Sequence, residues 1–499
     1  MESLLGRRRL AVWCIALLAC SDLAGPSAPS IAAVSIMPAS DTLCVTGDGL
    51  FGGSRTVQLT ATARDRSGTV LPEQQFQWTS SDPSIASVGV SGMVRAQGVG
   101  QATISATAGG VKGTATIRVA DCTFSCPLVY SWDGSGWRLD SGTFGGAIMR
   151  ALQRTDVDNL DHLVAMDGTL RLRVSNELRE TDHVDRLELL VVDHPAGTRV
   201  VPDHRGGLHV VRRPAAPVTA HDFDGRDVLQ SVRSADGQGW ESRRVLRDPV
   251  RSVRDGLVLR FARPVGASAA HLLLEGNNTP WSAALMGEWV AARGAGVEAW
   301  YDSLNANPRL ARSLGQRVAQ EAFLGVWLRT ESGWTRRGLF WEAGPEISKR
   351  QVMHLDLRGV RGDTVEVRLE APPAFWWIDA ILLEAARYET IRVHHVPAIG
   401  GIAHDGMDPR AGLAAIDGRY LTLEPFQWAE LTFAAPPPEP GATERSYLLS
   451  SNGWYKIRTP QLASADAGLL AQVETEPGGL SRAATQKLNQ AIWATGAWR

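Results

Sequence analysis

Lysine is almost missing from this chain of 499 residues: Lys112, Lys349, Lys456 and Lys487 are the only four. Arginine carries the rest of the positive charge, and 51 basic side chains against 53 acidic ones leave a net charge of −2. No long basic run occurs, so the chain has no general attraction for nucleic acid or acidic lipid, and no nucleic-acid partner is expected. Gly-x-Ser-x-Gly, His-Glu-x-x-His and the Walker phosphate loop are all absent. Gly89-Val90-Ser91-Gly92 falls one residue short of the first. These absences remove the nucleophile elbow, the zinc-peptidase helix and the phosphate cradle, but not a triad scattered along the chain. The apolar stretch Leu10–Leu18 is too short to span a bilayer, which takes about 20 residues.

What that stretch does have is its context. Arg7, Arg8 and Arg9 precede it, and Leu17-Leu18-Ala19-Cys20 follows as a lipobox, where a bacterial leader is cut and the new N-terminal cysteine is acylated. The alternative is an ordinary secretory leader ending by chance in cysteine. On the first reading residues 1–19 are a lipoprotein signal peptide and Cys20 is the lipidation site. Residues 20–31, rich in Ser, Ala, Pro and Gly, are then a flexible tether. Ser21 lacks the acidic character of an inner-membrane retention signal, so an outer-membrane envelope location is expected. Of the remaining cysteines, Cys122 and Cys126 flank a three-residue turn and form the favoured disulfide, with Cys44–Cys122 as the alternative.

From residue 32 to 120 the rhythm is of short strands. Val57–Ala63, Gln75–Trp78 and Ala102–Thr107 alternate apolar with polar, and turn signals such as Ser81-Asp82-Pro83 and Gly109-Gly110 separate them. This is the pattern of a sandwich or barrel. Val57, Leu59, Phe76, Trp78, Ile85, Val88, Val94, Ile104, Ile117 and Val119 make the expected core. The run Trp78–Val88, followed by Ser91-Gly92-Met93-Val94 and Gly98–Ile104, closely resembles the group 2 bacterial immunoglobulin-like domain of intimin- and invasin-type adhesins. The resemblance implies a small Greek-key sandwich used as spacer or adhesive module, with no catalytic residues to carry over.

Residues 121–386 read as one large Trp-rich β domain of sandwich or jelly-roll type. Its strands include Leu170–Val174, Leu187–Val192, Leu257–Phe261, Leu272–Leu274, Leu324–Leu328 and Val365–Leu369, and a helical insertion is expected over Trp281–Asn305. Cys126–Gly134 and Phe375–Asp379 faintly resemble an uncharacterised β-rich segment of bacterial envelope proteins, which assigns no activity. Residues 387–460 read as a small β-rich region containing the stiff spacer Pro436–Pro440, and residues 461–499 as a partly helical or disordered tail. The fold class is thus mainly β: an immunoglobulin-like sandwich, then a larger sandwich or jelly roll with a helical insertion.

Chemistry is harder to place. His394, His395, His404, Asp405 and Asp408 crowd one segment and suit either a divalent metal or a solvated polar loop. His194 and His204 bracket a similar loop. Asp222, Asp224 and Asp227 suit calcium or, more simply, an Asp-Gly turn. No metal or cofactor is expected. Tryptophan is abundant, 17 against 6 tyrosines. Neighbours on a strand face opposite ways, so Trp376 and Trp377 cannot share a core, and the pair is the candidate ligand-binding element. The expected function is a noncatalytic, lipid-anchored envelope module for adhesion, scaffolding or ligand binding, with the membrane and a surface glycan or protein as partners. The alternative is an envelope hydrolase or carbohydrate-active enzyme using Asp405 and Asp408, or Asp379 and Glu384.

Overall fold

The computed structural model describes residues 30–45, 55–120, 127–241 and 253–495, apart from positions 73, 99, 342, 346, 388, 390, 440, 442, 443 and 460–463. Cys20, Cys122 and Cys126 lie outside the described residues, as do the leader and nearly all of the tether. The N-terminal unit is the expected sandwich. Strands Ser40–Cys44, Val111–Ala120, Gly100–Ala108 and Gln77–Ser80 form one sheet. Ala33–Met37, Thr60–Arg64 and Val70–Leu71 form another, and Thr56–Gln58, Met93–Ala96 and Ala86–Val88 a third. Period-two alternation sends Leu59, Val94, Ile104, Ile117 and Val119 into the core, with Val57, Phe76, Trp78, Ile85 and Val88 packed at its edge.

The rest of the chain is nested. Leu128–Trp132, Trp137–Gly142 and Thr169–Ser175 pair with Trp428–Ala434 and Ala398–Ala403 in a five-stranded antiparallel sheet. Arg154–Asn159 and Glu180–His194 pair with Glu444–Ile457 and Arg392–Val396 in a second. Leu170, Leu172 and Phe433 from the first sheet and Val184, Leu189 and Leu449 from the second join one buried core. The boundary expected at residue 386 is therefore not a boundary of the fold: strands on either side of it complete the same two sheets. Pro436–Pro440 likewise does not separate units; the carbonyls of Pro436 and Pro437 accept from Arg445 and hold the connection against the strand it leads into.

Between the two halves sits an inserted second sandwich. Thr219–Asp222, Asp255–Ala262, Thr364–Ala371, Leu324–Thr330 and Gly333–Phe340 make one sheet; Trp240–Glu241, Trp376–Ala385, Ala269–Asn278 and Lys349–Asp356 make the other. In Thr364–Ala371 the alternation is clean, with Val365, Val367 and Leu369 buried and Glu366 and Arg368 turned outward.

The helical insertion is longer than the sequence pattern suggests. Helix α1 (Pro280–Ala291) starts at Thr279, whose hydroxyl accepts from Ser282 N at 3.3 Å; α2 (Val297–Ala306) follows; α3 (Pro308–Ala322) starts at Asn307, whose amide oxygen accepts from Leu310 N at 3.2 Å. Both capped helices place proline at the first helical position, where its missing N–H costs nothing. The tail docks here rather than fraying. Helices α4 (Ala467–Thr475) and α5 (Gly479–Thr495) pack on this layer, and the Glu321 carboxylate of α3 accepts from Gly478 N, Leu480 N and Ser481 N at 2.9–3.3 Å. Arg293, 7% exposed, lies over the rings of Trp289 and Trp300 and pairs with Glu474 of α4.

One buried ion cluster ties the two sandwiches together. Lys349, at the start of a strand in the inserted sandwich, reaches Asp158 at 2.6 Å and Asp156 at 3.3 Å on the edge strand of the other. Arg154 pairs with Asp156 at 2.8 Å. Burial and the neighbouring Asp156 charge push Asp158 up, while Arg154 and Lys349 hold Asp156 below its ordinary value against the cost of burial. Lys349→Met strands Asp158, while Asp156 keeps Arg154, and is expected to cost about 3–5 kcal/mol at pH 7. Because the stranded acid becomes easier to protonate, part of that loss should return as the pH falls toward 5. Chemical denaturation at the two pH values checks both, and a loss below about 1 kcal/mol would show that the cluster behaves as a surface pair.

Candidate functional site

Where the inserted sandwich, the other sandwich and the helices meet, they enclose a cavity of about 680 Å³. Ile148, Met149 and Leu152 line one side, from the segment that leads into strand Arg154–Asn159. Helices α1 and α3 contribute Met286, Trp289, Val318 and Ala319, and Leu339 and Trp341 close the wall from the inserted sandwich. Tyr455 and Ile457 form part of the floor. The size falls in the ordinary range for small-molecule sites, and so does the mostly apolar wall.

The polar groups in this wall are largely spent. Arg154 donates to the Gly145 carbonyl at 2.8 Å, pairs with Asp156 and lies 4.8 Å over the Trp341 ring. The Trp341 indole N–H donates to the same carbonyl at 3.1 Å. Gln153 donates to Asp185 and Asn452, both at 2.6 Å, and accepts from the Tyr420 hydroxyl at 2.6 Å. Asp185 sits at a bulge in strand Glu180–His194 and also accepts from Asp417 N and Gly418 N, which anchors the loop before Tyr420. Two cations at the mouth differ. Arg205 and Arg312 line the cavity, are exposed, and have no ion-pair partner among the described residues.

A second cavity, about 620 Å³, gathers charge instead: Arg199, Arg212, Glu275, Arg350 and Glu444 line it. Burial pushes the Glu275 carboxyl up, against the pull of Arg350. Glu444 accepts from Gly197 N at 3.1 Å, and Arg350 also pairs with Asp161. Arg212 pairs with Glu389, so several of these charges are held by neighbours outside the lining.

The residues singled out from sequence disperse. Trp376 is 1% exposed, and its indole N–H donates to Ala322 O of α3 at 3.3 Å. Trp377 is half-buried, its ring packed so closely on Gly239 that a β-carbon there would come within 2.5 Å of it. The pair is therefore not a shared binding surface: one indole is core under the helical insertion, the other is covered by a neighbouring loop. The tryptophans from Trp78 to Trp454 are all buried or partly buried.

The histidine–aspartate segment does not converge either. His394 sits 3.2 Å from Glu439 and His395 3.0 Å from Glu188, on opposite faces of one strand. Asp405 accepts from Met407 N, and Asp408 from Arg410, so both shape turns. No metal-sized group of His, Cys, Asp and Glu occurs among the described residues. Asp222 accepts from Asp224 N and Arg226 N, which makes the calcium candidate a plain Asp-Gly turn. His194 bonds Thr198 and Ser446; His204 borders the large cavity. Asp379 accepts from Gly237 N, and Glu384 from Arg212 N and Arg213 N.

Sequence reasoning missed a buried carboxyl pair. Glu180 and Asp182, both 0% exposed, lie on the same face of their strand and register with Ile457 and Tyr455. Residues i and i+2 of a strand always share a face, so the acids two apart in Glu180-Thr181-Asp182 were the available signal.

Residues 29–119 match the family model of the bacterial Ig-like domain (group 2). They are such a domain. A comparison with curated proteins finds no match. Among solved structures, domains 4 and 5 of the S-layer protein SbsC are similar at 14% identity and a TM-score of 0.16, covering 29% of this chain and 92% of that one. Human protocadherin-24 EC1-2 is similar at 12% identity and a TM-score of 0.15, covering 29% and 87%. The GH31 alpha-xylosidase of Xanthomonas citri is similar at 9% identity and a TM-score of 0.18; the match covers 79% of this chain and 35% of that one.

The carboxyl pair yields a pH prediction. Burial raises the Asp182 pKa well above its ordinary 3.8, so the native state holds a proton that the unfolded chain releases near pH 4. Stability should fall as the pH rises from there through the raised value. Asp182→Asn keeps the side-chain shape without the titration. Denaturant midpoints followed from pH 4 to 8 should decline for the parent and stay flatter for the variant; parallel curves would show that the pair ionises as in water.

Proposed function

We propose that this protein is a noncatalytic module of the bacterial cell envelope, held by acyl chains on Cys20. The group 2 Ig-like domain spaces the body from the membrane, and the nested double sandwich carries the contact with a ligand or partner. The observation that carries the binding part is the cavity between the sandwiches. Its wall is mostly apolar, and Gln153 and Arg154 within it are committed to other partners, which supports a site that holds a molecule rather than one that transforms it. The immunoglobulin-like domain directly after the lipobox supports the envelope part, as such domains occur in bacterial surface proteins. No helix among the described residues is long and apolar enough to cross a membrane, and anchoring by Cys20 supplies the attachment this reading needs.

Labelled palmitate fed to expressing cells should enter the wild-type chain and not Cys20→Ala, and the variant should shift from the membrane to the soluble periplasmic fraction. An unlabelled wild-type chain with an intact leader would overturn the anchoring.

A further inference from the structure

We infer that the cavity between the two sandwiches binds a single-chain amphiphile with an anionic head, its apolar chain inside and its charge at the mouth. This deepens the reading of the body as a binder and is independent of the anchor at Cys20.

The wall decides the chain. Met149, Leu152, Met286, Val318, Phe323 and Leu339 offer hydrocarbon from three directions. A sugar needs donors and acceptors for each hydroxyl it loses to burial. The deepest candidates cannot serve: Gln153 is committed to Asp185, Asn452 and Tyr420, and Arg154 to Asp156 and Gly145. An alkyl chain asks for no such partners and gains free energy by leaving water.

The mouth decides the head. Arg205 follows strand Arg199–Pro202 and Arg312 lies on the first turns of α3, so two separate elements bring unpaired guanidinium groups to one opening. Other arginines near such openings are neutralised in place, as Arg350 is by Asp161 and Arg212 by Glu389. Guanidinium groups at an opening receive a carboxylate or phosphate while leaving it partly hydrated, which avoids the cost of burying a charge. A chain with its head at the rim satisfies wall and mouth together.

Calorimetric titration of the full chain carrying Cys20→Ala, which removes its own acyl groups, tests this with octanoate through tetradecanoate below their micellar concentrations. Affinity should climb about fourfold per added methylene until the cavity is full. Hexadecyl phosphate should bind alongside the carboxylates if any anionic head suffices; binding confined to carboxylates would identify the source as a fatty acid. Reversing both rim charges, Arg205→Glu with Arg312→Glu, changes only exposed side chains, so folding is preserved. It should weaken the acids by about tenfold at low salt and leave hexadecanol unchanged. Ala319→Trp, which fills the cavity, should abolish binding of acid and alcohol alike. If acid and alcohol bind equally and the rim variant behaves as the parent, the anionic head is wrong while the binder reading stands. If no chain length binds, the cavity is not a ligand site, and the binder reading of the body fails with it.

Discussion

A single lysine fixes how the two sandwiches of the body meet. Lys349 enters from the inserted sandwich and is met by Asp156 and Asp158 on the edge strand of the other. Lys349 and Asp158 are buried, and each finds its opposite charge only in this one arrangement. Exchanging such a cluster for apolar groups costs little net stability, but losing one partner costs several kcal/mol. A misaligned docking would leave Asp158 and Lys349 without their opposite charges, and that penalty discriminates against alternative placements. The same edge strand begins with Arg154 in the cavity wall, so the contact that sets the docking also sets the width of the cavity.

The nesting explains why that constraint is needed. The inserted sandwich leaves the first after strand Glu180–His194 and returns to it at Arg392–Val396, and those two strands are neighbours in one sheet. Chain connectivity therefore tethers the insert at one place only. The helices, the docked tail and the ion cluster close the remaining sides. Arg293 between two indoles and against Glu474, and Glu321 on the first turn of α5, show the tail taking part in this closure rather than trailing from it.

Much of the fold was legible because alternation is local. Val57 to Val119 announced one sandwich, and Leu170–Val174, Val365–Leu369 and Leu324–Leu328 are strands where the pattern puts them. The nesting was not legible, because strand pairing between residues near 170 and near 430 leaves no trace in either segment alone. Helix α3 was missed for a different reason. Its buried face is Ala311, Val318, Ala319 and Ala322, too small and too interrupted by arginine and glutamine to stand out as an apolar stripe, although Asn307-Pro308 marked its start. The cavity is a product of the nesting and the helices together, so its wall could not be assembled from sequence. The histidine and aspartate clusters do not converge because proximity in sequence, on an alternating strand or in a turn, sends side chains apart.

Several of the tryptophans are capped by arginines. On the outer face of the first sandwich, Arg171 lies over Trp132 and Trp137, and Arg173 over Trp137 and Trp428, with Glu430 bridging both arginines. The inserted sandwich repeats the device: Arg368 lies over Trp327 and Trp334, with Glu370 beside it. A planar guanidinium stacks flat on an indole and still presents its edge to a carboxylate, which a compact ammonium cannot do as well. Replacing these arginines by lysine would uncover the rings. Indoles already capped in this way are not free to stack on a sugar, so the tryptophan content seals the outer sheets. The surface left for recognition is the mouth of the large cavity, where Arg205 and Arg312 have no ion-pair partner among the described residues.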